Sequence, residues 1–209
     1  MLPTTLLKIS LRYIQRMTTN LESRFTPSRD WCPHPEYWHS PDSEATENEV
    51  SEFIGSLVRI IQPEFVVETG TYHGHTTYEI GLALRDNGHG KVVSLDSDRR
   101  CVEIASRRIN DADEYYDSPL PIQILHMNSL DYSPTEDIDF AFFDSWQEGR
   151  IQELERFISL GRMKSGTIFA VHDTAPHHQV RKHFVPASFD SYQFIDFHTP
   201  RGLIVGQLK

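Results

Sequence analysis

The chain has 209 residues, of which 38% are hydrophobic, 11% aromatic and 24% charged, a composition that favours one globular unit over a disordered or collagen-like chain. Lys and Arg total 20 against 30 Asp and Glu, a formal net charge of −10, so the average surface repels polyanions and no nucleic-acid partner is expected. No apolar run approaches the ~18 residues that would predict a membrane span, and Cys32 and Cys101 stand far apart, which fits reduced thiols in a cytoplasmic protein.

The N-terminal residues differ from the rest in charge and in proline content. The first 24 residues predict a short basic amphipathic helix, because Leu7, Leu11 and Ile14 recur at helical spacing. An accessory helix on the main domain and an organelle-targeting peptide both fit this pattern. Residues 26–43, rich in proline and aromatic residues, favour an ordered loop that packs on the domain or lines a substrate pocket. We therefore expect residues 1–45 to form an arm or lid and residues 46–209 the main domain.

A capping box begins the main domain. Thr46 and Glu49 match the S/T-x-x-E pattern ahead of a helical run of apolar residues that ends near Ile61. Beyond Pro63 short apolar runs alternate with helical patterns. Strands are predicted at 65–68, 91–96, 122–127, 139–144 and 167–172, and helices near 76–85, 99–110 and 150–160.

This alternation predicts an α/β fold, a doubly wound, Rossmann-like and mostly parallel sheet with helices on both faces. The C-terminal part departs from it, since strand-like runs at 192–198 and 203–208 are separated by only four residues, Thr199-Pro200-Arg201-Gly202. That turn is too short for a crossover, so the last two strands must be antiparallel neighbours.

The loop after the first strand predicts a ligand site, since ligands of such sheets bind beyond the carboxyl ends of the strands. Gly70 and Gly74 allow a tight turn and a close approach of a ligand to the backbone. The dinucleotide fingerprint needs glycines at i, i+2 and i+5, and counting from Gly70 the later positions are Tyr72 and His75. Glu68 would repel a pyrophosphate and favour a cationic ligand, such as a sulfonium or an α-amino group.

Asp96 ends the second strand, where a carboxylate can accept hydrogen bonds from both ribose hydroxyls. The alternative is that Asp96 caps the next helix, a role that Ser97 or Asp98 could also fill. Ser129 follows the third strand, where an adenine would lie, although turn chemistry alone also explains a serine there.

These residues resemble the class I S-adenosylmethionine-dependent methyltransferases. The run from Val67 to Thr76 is similar to their first motif and Asp96 to their ribose-binding acid, while Phe142–Trp146 and Val171–Thr174 are similar to motifs of the small-molecule, catechol-type O-methyltransferases. The resemblance implies a seven-stranded sheet with an antiparallel last strand, and Trp146 beside the adenine. It implies S-adenosylmethionine as cofactor, with these predicted contacts: Glu68, Gly70, Thr71, Tyr72, Gly74, Thr76, Asp96, Ser129, Asp144 and Trp146.

By the same resemblance, Asp144 and Asp173 match acidic metal-ligand positions, and a hard oxygen site of this kind suits Mg²⁺ or Ca²⁺. The sequence departs from the catechol-type pattern at Gln147, where that pattern has a lysine base, and at Thr174, where it has an amide ligand. The alternative is that Asp144 supports the loop and Asp173 caps the following helix.

A general base must then come from elsewhere, and His172 is the first candidate, with His177 and His178 nearby. Together with Asp144 and Asp173, His172 completes the predicted catalytic set. We expect a methyltransferase that acts on a hydroxyl of a small molecule. The alternatives are a cofactor-binding module without catalysis and a nicotinamide-dependent oxidoreductase. The sequence does not determine the oligomeric state and is compatible with a homo-oligomer.

Overall fold

A computed structural model describes residues 19–20, 29–114, 116, 118–184 and 191–209 of the chain. The predicted basic helix around residues 7–14 lies outside these residues. Two short strands, β1 (Thr19–Asn20) and β2 (His39–Ser40), pair antiparallel ahead of the main domain.

Seven further strands form one sheet. They are β3 (Phe65–Thr69), β4 (Lys91–Asp96), β5 (Ile122–His126), β6 (Phe140–Phe143), β7 (Ile168–His172), β8 (Tyr192–Phe197) and β9 (Leu203–Leu208). Their order across the sheet is β5-β4-β3-β6-β7-β9-β8. The first five of that order pair in parallel, whereas β9 pairs antiparallel with both β7 and β8. The predicted parallel sheet and the antiparallel C-terminal hairpin are both confirmed.

The strand order reverses between β3 and β6. From β3 the chain moves outward through β4 to β5 and then returns to β6 on the other side of β3. Helices connect the strands: α1 (Asn48–Ile61) precedes β3, α2 (His75–Asn87) and α3 (Arg99–Asp113) flank β4, and α4 (Gly149–Ser159) follows β6. A crevice beyond the carboxyl ends of β3 and β6 is the expected ligand site of such a sheet.

Two apolar layers hold the sheet between its helices. Val67 and Phe143 pack on one face with Leu154 of α4, whereas Val66 and Phe142 pack on the other with α1 and α2. Neighbouring strand residues point to opposite faces, so strands buried on both sides are continuously apolar. Burying each such side chain is worth about 1.5–3 kcal/mol.

The predicted capping box is wrong, although the helix it introduced is present. The first residue of α1 is Asn48, and Glu47 precedes it without a side-chain cap. The Thr46 hydroxyl donates instead to Asp144, and the Glu49 carboxylate accepts the backbone N–H of His39. Both side chains therefore make tertiary contacts in place of the local cap. Within the described residues, every helix is too short or too polar to cross a bilayer.

Gly70 fixes the distance between β3 and β6 at the strand reversal. It has a φ of +86°, and a Cβ added there would lie 2.2 Å from the carbonyl oxygen of Asp144. Its backbone N–H and that of Thr71 donate to Leu95 of β4. The loop after β3 is thus held against both neighbouring strands.

We predict that Gly70→Ala destabilises the fold more than Gly88→Ala. Gly88 also has a positive φ, of +78°, but nothing lies within 4 Å of an added Cβ. Both variants carry the left-handed strain of about 1–2 kcal/mol, and Gly70→Ala adds an overpacking cost of about 1–3 kcal/mol. Urea unfolding of both variants measures the difference, and equal losses of unfolding free energy would contradict the prediction.

Candidate active site

A cavity of about 410 Å³ opens beyond the carboxyl ends of β3, β4 and β6. Its size falls in the range of small-molecule sites, about 300–1,000 Å³. The loop after β3 forms one wall, the segment 144–147 after β6 forms another, and residues 44–46 cover one side. The cavity thus lies at the strand reversal, where the sequence predicts a ligand.

Eight of the ten residues predicted to contact a cofactor line this cavity. They are Gly70, Thr71, Tyr72, Thr76, Asp96, Ser129, Asp144 and Trp146. Gly74 does not line it. It precedes α2 with a φ of +74°, and a Cβ there would lie 3.0 Å from the Ala105 Cβ. Its role is to let the loop pack closely on α3.

Glu68 does not line the cavity either. Its carboxylate is 1% exposed and accepts hydrogen bonds from the hydroxyls of Ser94 (2.6 Å) and Thr77 (2.5 Å). Burial raises the pKa of Glu68 to about 8, so the carboxyl group is largely uncharged near neutral pH. The predicted attraction between Glu68 and a cationic ligand is therefore not supported, and the residue instead links β3 to β4 and to the first turn of α2.

Asp96 lies where the sequence predicts a ribose-binding acid. Its carboxylate accepts the backbone N–H groups of Tyr72 (2.7 Å) and Asp98 (2.8 Å) and faces the cavity. Partial burial raises the pKa of Asp96. The alternative role, capping α3, belongs to Asp98, whose side chain accepts the N–H of Arg100. Asp96 is thus an oriented acceptor at the cavity wall.

Trp146 presents a large aromatic surface to the cavity. Trp146 is 43% exposed and precedes α4, and its indole packs against the first residue of that helix, Gly149, where an added Cβ would come within 2.4 Å of the ring. The absence of a side chain at Gly149 therefore allows the indole to lie flat against the helix. A half-exposed aromatic ring fixed in this way can stack on a planar heterocycle.

Glu153 links three strand ends beneath the cavity, and the sequence interpretation missed it. Its carboxylate accepts the hydroxyls of Thr69 (2.7 Å), Ser145 (2.7 Å) and Ser129. Burial raises its pKa. The Ser129 hydroxyl is thus directed at Glu153, which leaves its oxygen lone pairs and backbone for a ligand.

Beyond the ends of β6 and β7 the site contains a buried group of charges. Asp144 and Asp173 both lie within 3.0 Å of the Arg150 guanidinium, and Arg201 contacts Asp173 through two nitrogens, at 2.6 and 3.0 Å. Asp173 has a φ of +59°, a left-handed backbone that is costly for a residue other than glycine. Although burial opposes ionisation, the charges of His172 and Arg150 lower the pKa of Asp144, and those of Arg150, His172 and Arg201 lower the pKa of Asp173.

His172 does not fit the predicted role of general base. Its ring is fully buried, with Nδ1 2.9 Å from Asp144 and Nε2 2.6 Å from Glu47, and it does not line the cavity. Although burial opposes a charged ring, the adjacent carboxylates raise the pKa of His172 to about 10. A doubly protonated imidazole has no lone pair with which to accept a proton, so this prediction is corrected.

His177 and His178 also lie outside the cavity lining. Burial lowers the pKa of His178 to about 4, and its Nδ1 lies 2.5 Å from the amide nitrogen of Gln147, which can donate to it. Gln147 stands where the catechol-type pattern has a lysine base, and here its amide orients the neutral ring of His178. Thr174 is fully buried and does not reach the cavity.

The predicted metal ligands do lie close together, but the guanidinium group of Arg150 lies between the two aspartates. Ligand-type atoms of Asp144, His172 and Asp173 lie within 4.8 Å of one another. Arg150 already bridges the two aspartates, so an Mg²⁺ or Ca²⁺ ion there would lie against a guanidinium. The alternative of a helix cap fails as well, because Asp173 is paired with arginines and the next helical segment, Gln179–His183, has no side-chain cap. The residues present do not fit a divalent cation.

Comparison with known proteins identifies the family. A family model described as a methyltransferase domain matches residues 67–174, more than half of the chain and nearly all of the strands that build the cavity. The chain belongs to this methyltransferase family.

Solved structures share the fold of this methyltransferase at low sequence identity. SAH-bound methyltransferase PaMTH1 from Podospora anserina is 12% identical, with a TM-score of 0.66 over 100% of this chain and 97% of that one. The O-methyltransferase TomG from Streptomyces achromogenes, involved in tomaymycin synthesis and in complex with SAM, is 17% identical, with a TM-score of 0.63 over 97% and 96%. An O-methyltransferase from Bacillus cereus in complex with SAH is 18% identical, with a TM-score of 0.61 over 80% and 84%.

The charge on His172 gives a prediction about the pH dependence of stability. Because its pKa is raised to about 10, its ion pairs stabilise the methyltransferase fully below the unfolded-state pKa of about 6.5 and lose this effect as the pH rises through about 10. The stability gap between the wild type and His172→Gln should therefore narrow from about pH 6 to about pH 10 in urea unfolding. His177→Gln, at an exposed neighbour, is the control, and a gap of constant size would refute the charged state.

Proposed function

We propose that the chain is an S-adenosylmethionine-dependent methyltransferase that transfers the methyl group to a hydroxyl oxygen of a small molecule. The observation that carries the proposal is the cavity at the strand reversal, which Asp96 and Trp146 both line. Asp96 can accept hydrogen bonds from the two ribose hydroxyls, and Trp146 can stack on the adenine, so both would bind the same nucleoside. The SAM and SAH complexes of similarly folded proteins support the same ligand.

A nicotinamide-dependent oxidoreductase is the weaker candidate. The loop after β3 lacks the dinucleotide spacing of glycines, and Tyr72, with a φ of +47°, stands where that fingerprint has its second glycine. A Tyr side chain there opposes the close approach of a pyrophosphate to the backbone. The methyl donor, by contrast, has no phosphate groups.

Cofactor binding can be measured without knowing the acceptor. S-adenosylhomocysteine at about a hundredfold excess over its Kd should stabilise the protein by about 2.7 kcal/mol and raise the melting temperature by roughly 5–10 °C. NAD(H) at the same concentration should leave the melting temperature unchanged. Stabilisation by NAD(H) alone would replace the methyltransferase proposal with the oxidoreductase.

Asp96→Asn should weaken S-adenosylhomocysteine binding by about 10–100-fold, because one charged acceptor of a ribose hydroxyl is lost. Asp98→Asn is the matched control, since Asp98 lies two residues away, caps α3 and does not line the cavity. Isothermal titration calorimetry gives both affinities. Equal affinity in the two variants would remove Asp96 from the ribose site.

The acceptor proton needs a base, and we propose His73 for this role. Its ring lines the cavity, stacks on Tyr72 at 3.8 Å between centroids, and has Nδ1 3.7 Å from the Asp42 carboxylate. Asp42 is itself fixed, because its other oxygen accepts the backbone N–H groups of Glu44 and Ala45. A carboxylate beside an imidazole can orient its ring.

His73→Gln should lower turnover by about 10²–10⁴-fold and leave the affinity for S-adenosylhomocysteine unchanged. Acceptors for the assay come from a panel of phenols, alcohols and carboxylates tested with methyl-labelled S-adenosylmethionine. His89→Gln is the control, because His89 lies outside the cavity lining. Turnover of His73→Gln at the wild-type level would reject His73 as the base.

A further inference from the structure

Arg150 is fixed between the two aspartates at the ends of β6 and β7. It belongs to the first turn of α4, and its side chain is 4% exposed. One guanidinium nitrogen lies 3.0 Å from Asp144 and 2.9 Å from Asp173, while the other nitrogens donate to the backbone carbonyls of Ser145 and His172. All three nitrogens of the guanidinium thus have a partner, so it has little freedom to move aside for an ion.

Arg201 is a second guanidinium partner of Asp173. It lies in the turn between β8 and β9, and two of its nitrogens contact the two oxygens of Asp173 at 2.6 and 3.0 Å. The third nitrogen donates to the backbone carbonyls of Glu44 and Ala45, both at 3.0 Å. A planar guanidinium held in this way is a permanent positive charge of fixed geometry.

The charges of these four side chains cancel. Asp144 and Asp173 bring two negative charges, and Arg150 and Arg201 bring two positive charges, which is the charge of one divalent cation. An added Mg²⁺ would leave the group with a net charge of +2 in a region where all four side chains are 14% exposed or less. It would also need carboxylate oxygens that already accept guanidinium hydrogen bonds.

We propose that Arg150 and Arg201 together take the place of a divalent cation at this site, so that the aspartates are held by fixed guanidinium groups and bind no metal. The consequence for catalysis, methyl transfer that needs no metal, rests on the proposed function. The exclusion of metal from the two aspartates does not depend on the proposed function, so it can be tested whether or not the chain transfers a methyl group.

The test is a Mn²⁺ titration of the full chain followed by electron paramagnetic resonance, which reports free Mn²⁺. The wild type should leave Mn²⁺ free up to millimolar concentrations. Arg201→Ala should bind one Mn²⁺ at least about tenfold more tightly, because Oδ1 of Asp173 then loses its guanidinium partner and the group has a net negative charge. Arg201→Lys, which keeps the positive charge, and Arg59→Ala, at a surface ion pair with Asp86, should behave like the wild type.

The outcomes separate the proposals. One Mn²⁺ bound by the wild type and lost in Asp173→Asn would overturn the inference, and so would an Arg201→Ala protein that is folded by circular dichroism yet binds Mn²⁺ no better than the wild type. Should Arg201→Ala fail to fold, Arg201→Gln replaces it in the titration. The wild-type titration does not depend on either variant, since tight Mn²⁺ binding by the wild type alone would overturn the inference. Melting-temperature shifts with S-adenosylhomocysteine, recorded on the same samples, test the proposed function separately. Turnover unchanged by EDTA is expected once an acceptor is known.

Discussion

Buried ion pairs hold together the part of this methyltransferase that lies beyond the carboxyl ends of β6 and β7. Arg150 pairs with both Asp144 and Asp173, and Arg201 pairs with Asp173. They join the ends of β6 and β7, the start of α4, the turn between β8 and β9, and the segment over the cavity. Removing one partner of such a group leaves an uncompensated buried charge, at a cost of about 3–5 kcal/mol. The geometry beyond the ends of β6 and β7 therefore depends on electrostatic pairing more than on apolar packing.

Much of the fold could be predicted from the sequence because local patterns determine it. Strands buried on both faces are short apolar runs, as in Phe140–Phe143, and the four-residue turn at 199–202 requires antiparallel neighbours. The predicted capping box failed because Thr46 and Glu49 have better tertiary partners. The sequence pattern identifies candidate hydrogen-bonding groups but cannot show which partner is nearer.

The residues that line the cavity were largely predictable, whereas the partners of the charged residues at the ends of β6 and β7 were not. Glycines and an acid at strand ends follow from the fold, so most of the predicted contacts line one cavity. The roles of His172 and Asp173 depend on Glu47, Arg150 and Arg201, which lie far away along the chain. His172 is a cation because the carboxylates of Asp144 and Glu47 outweigh the effect of its burial, whereas His178 is neutral because its burial outweighs the attraction of the Asp173 carboxylate. Only the folded arrangement distinguishes these cases.

Contacts across the edge of the cavity connect residues that are very distant along the chain. The backbone N–H of Arg201 donates to Glu47 over 154 positions, and Trp31 donates to the carbonyl of Thr199 over 168. Such pairings add to the contact order and slow folding, because the intervening loop must close before they form. During synthesis on the ribosome, the cavity wall formed by the loop after β3 can assemble early, while the contacts of Arg201 with Glu47 and Asp173 must wait until the hairpin turn has emerged.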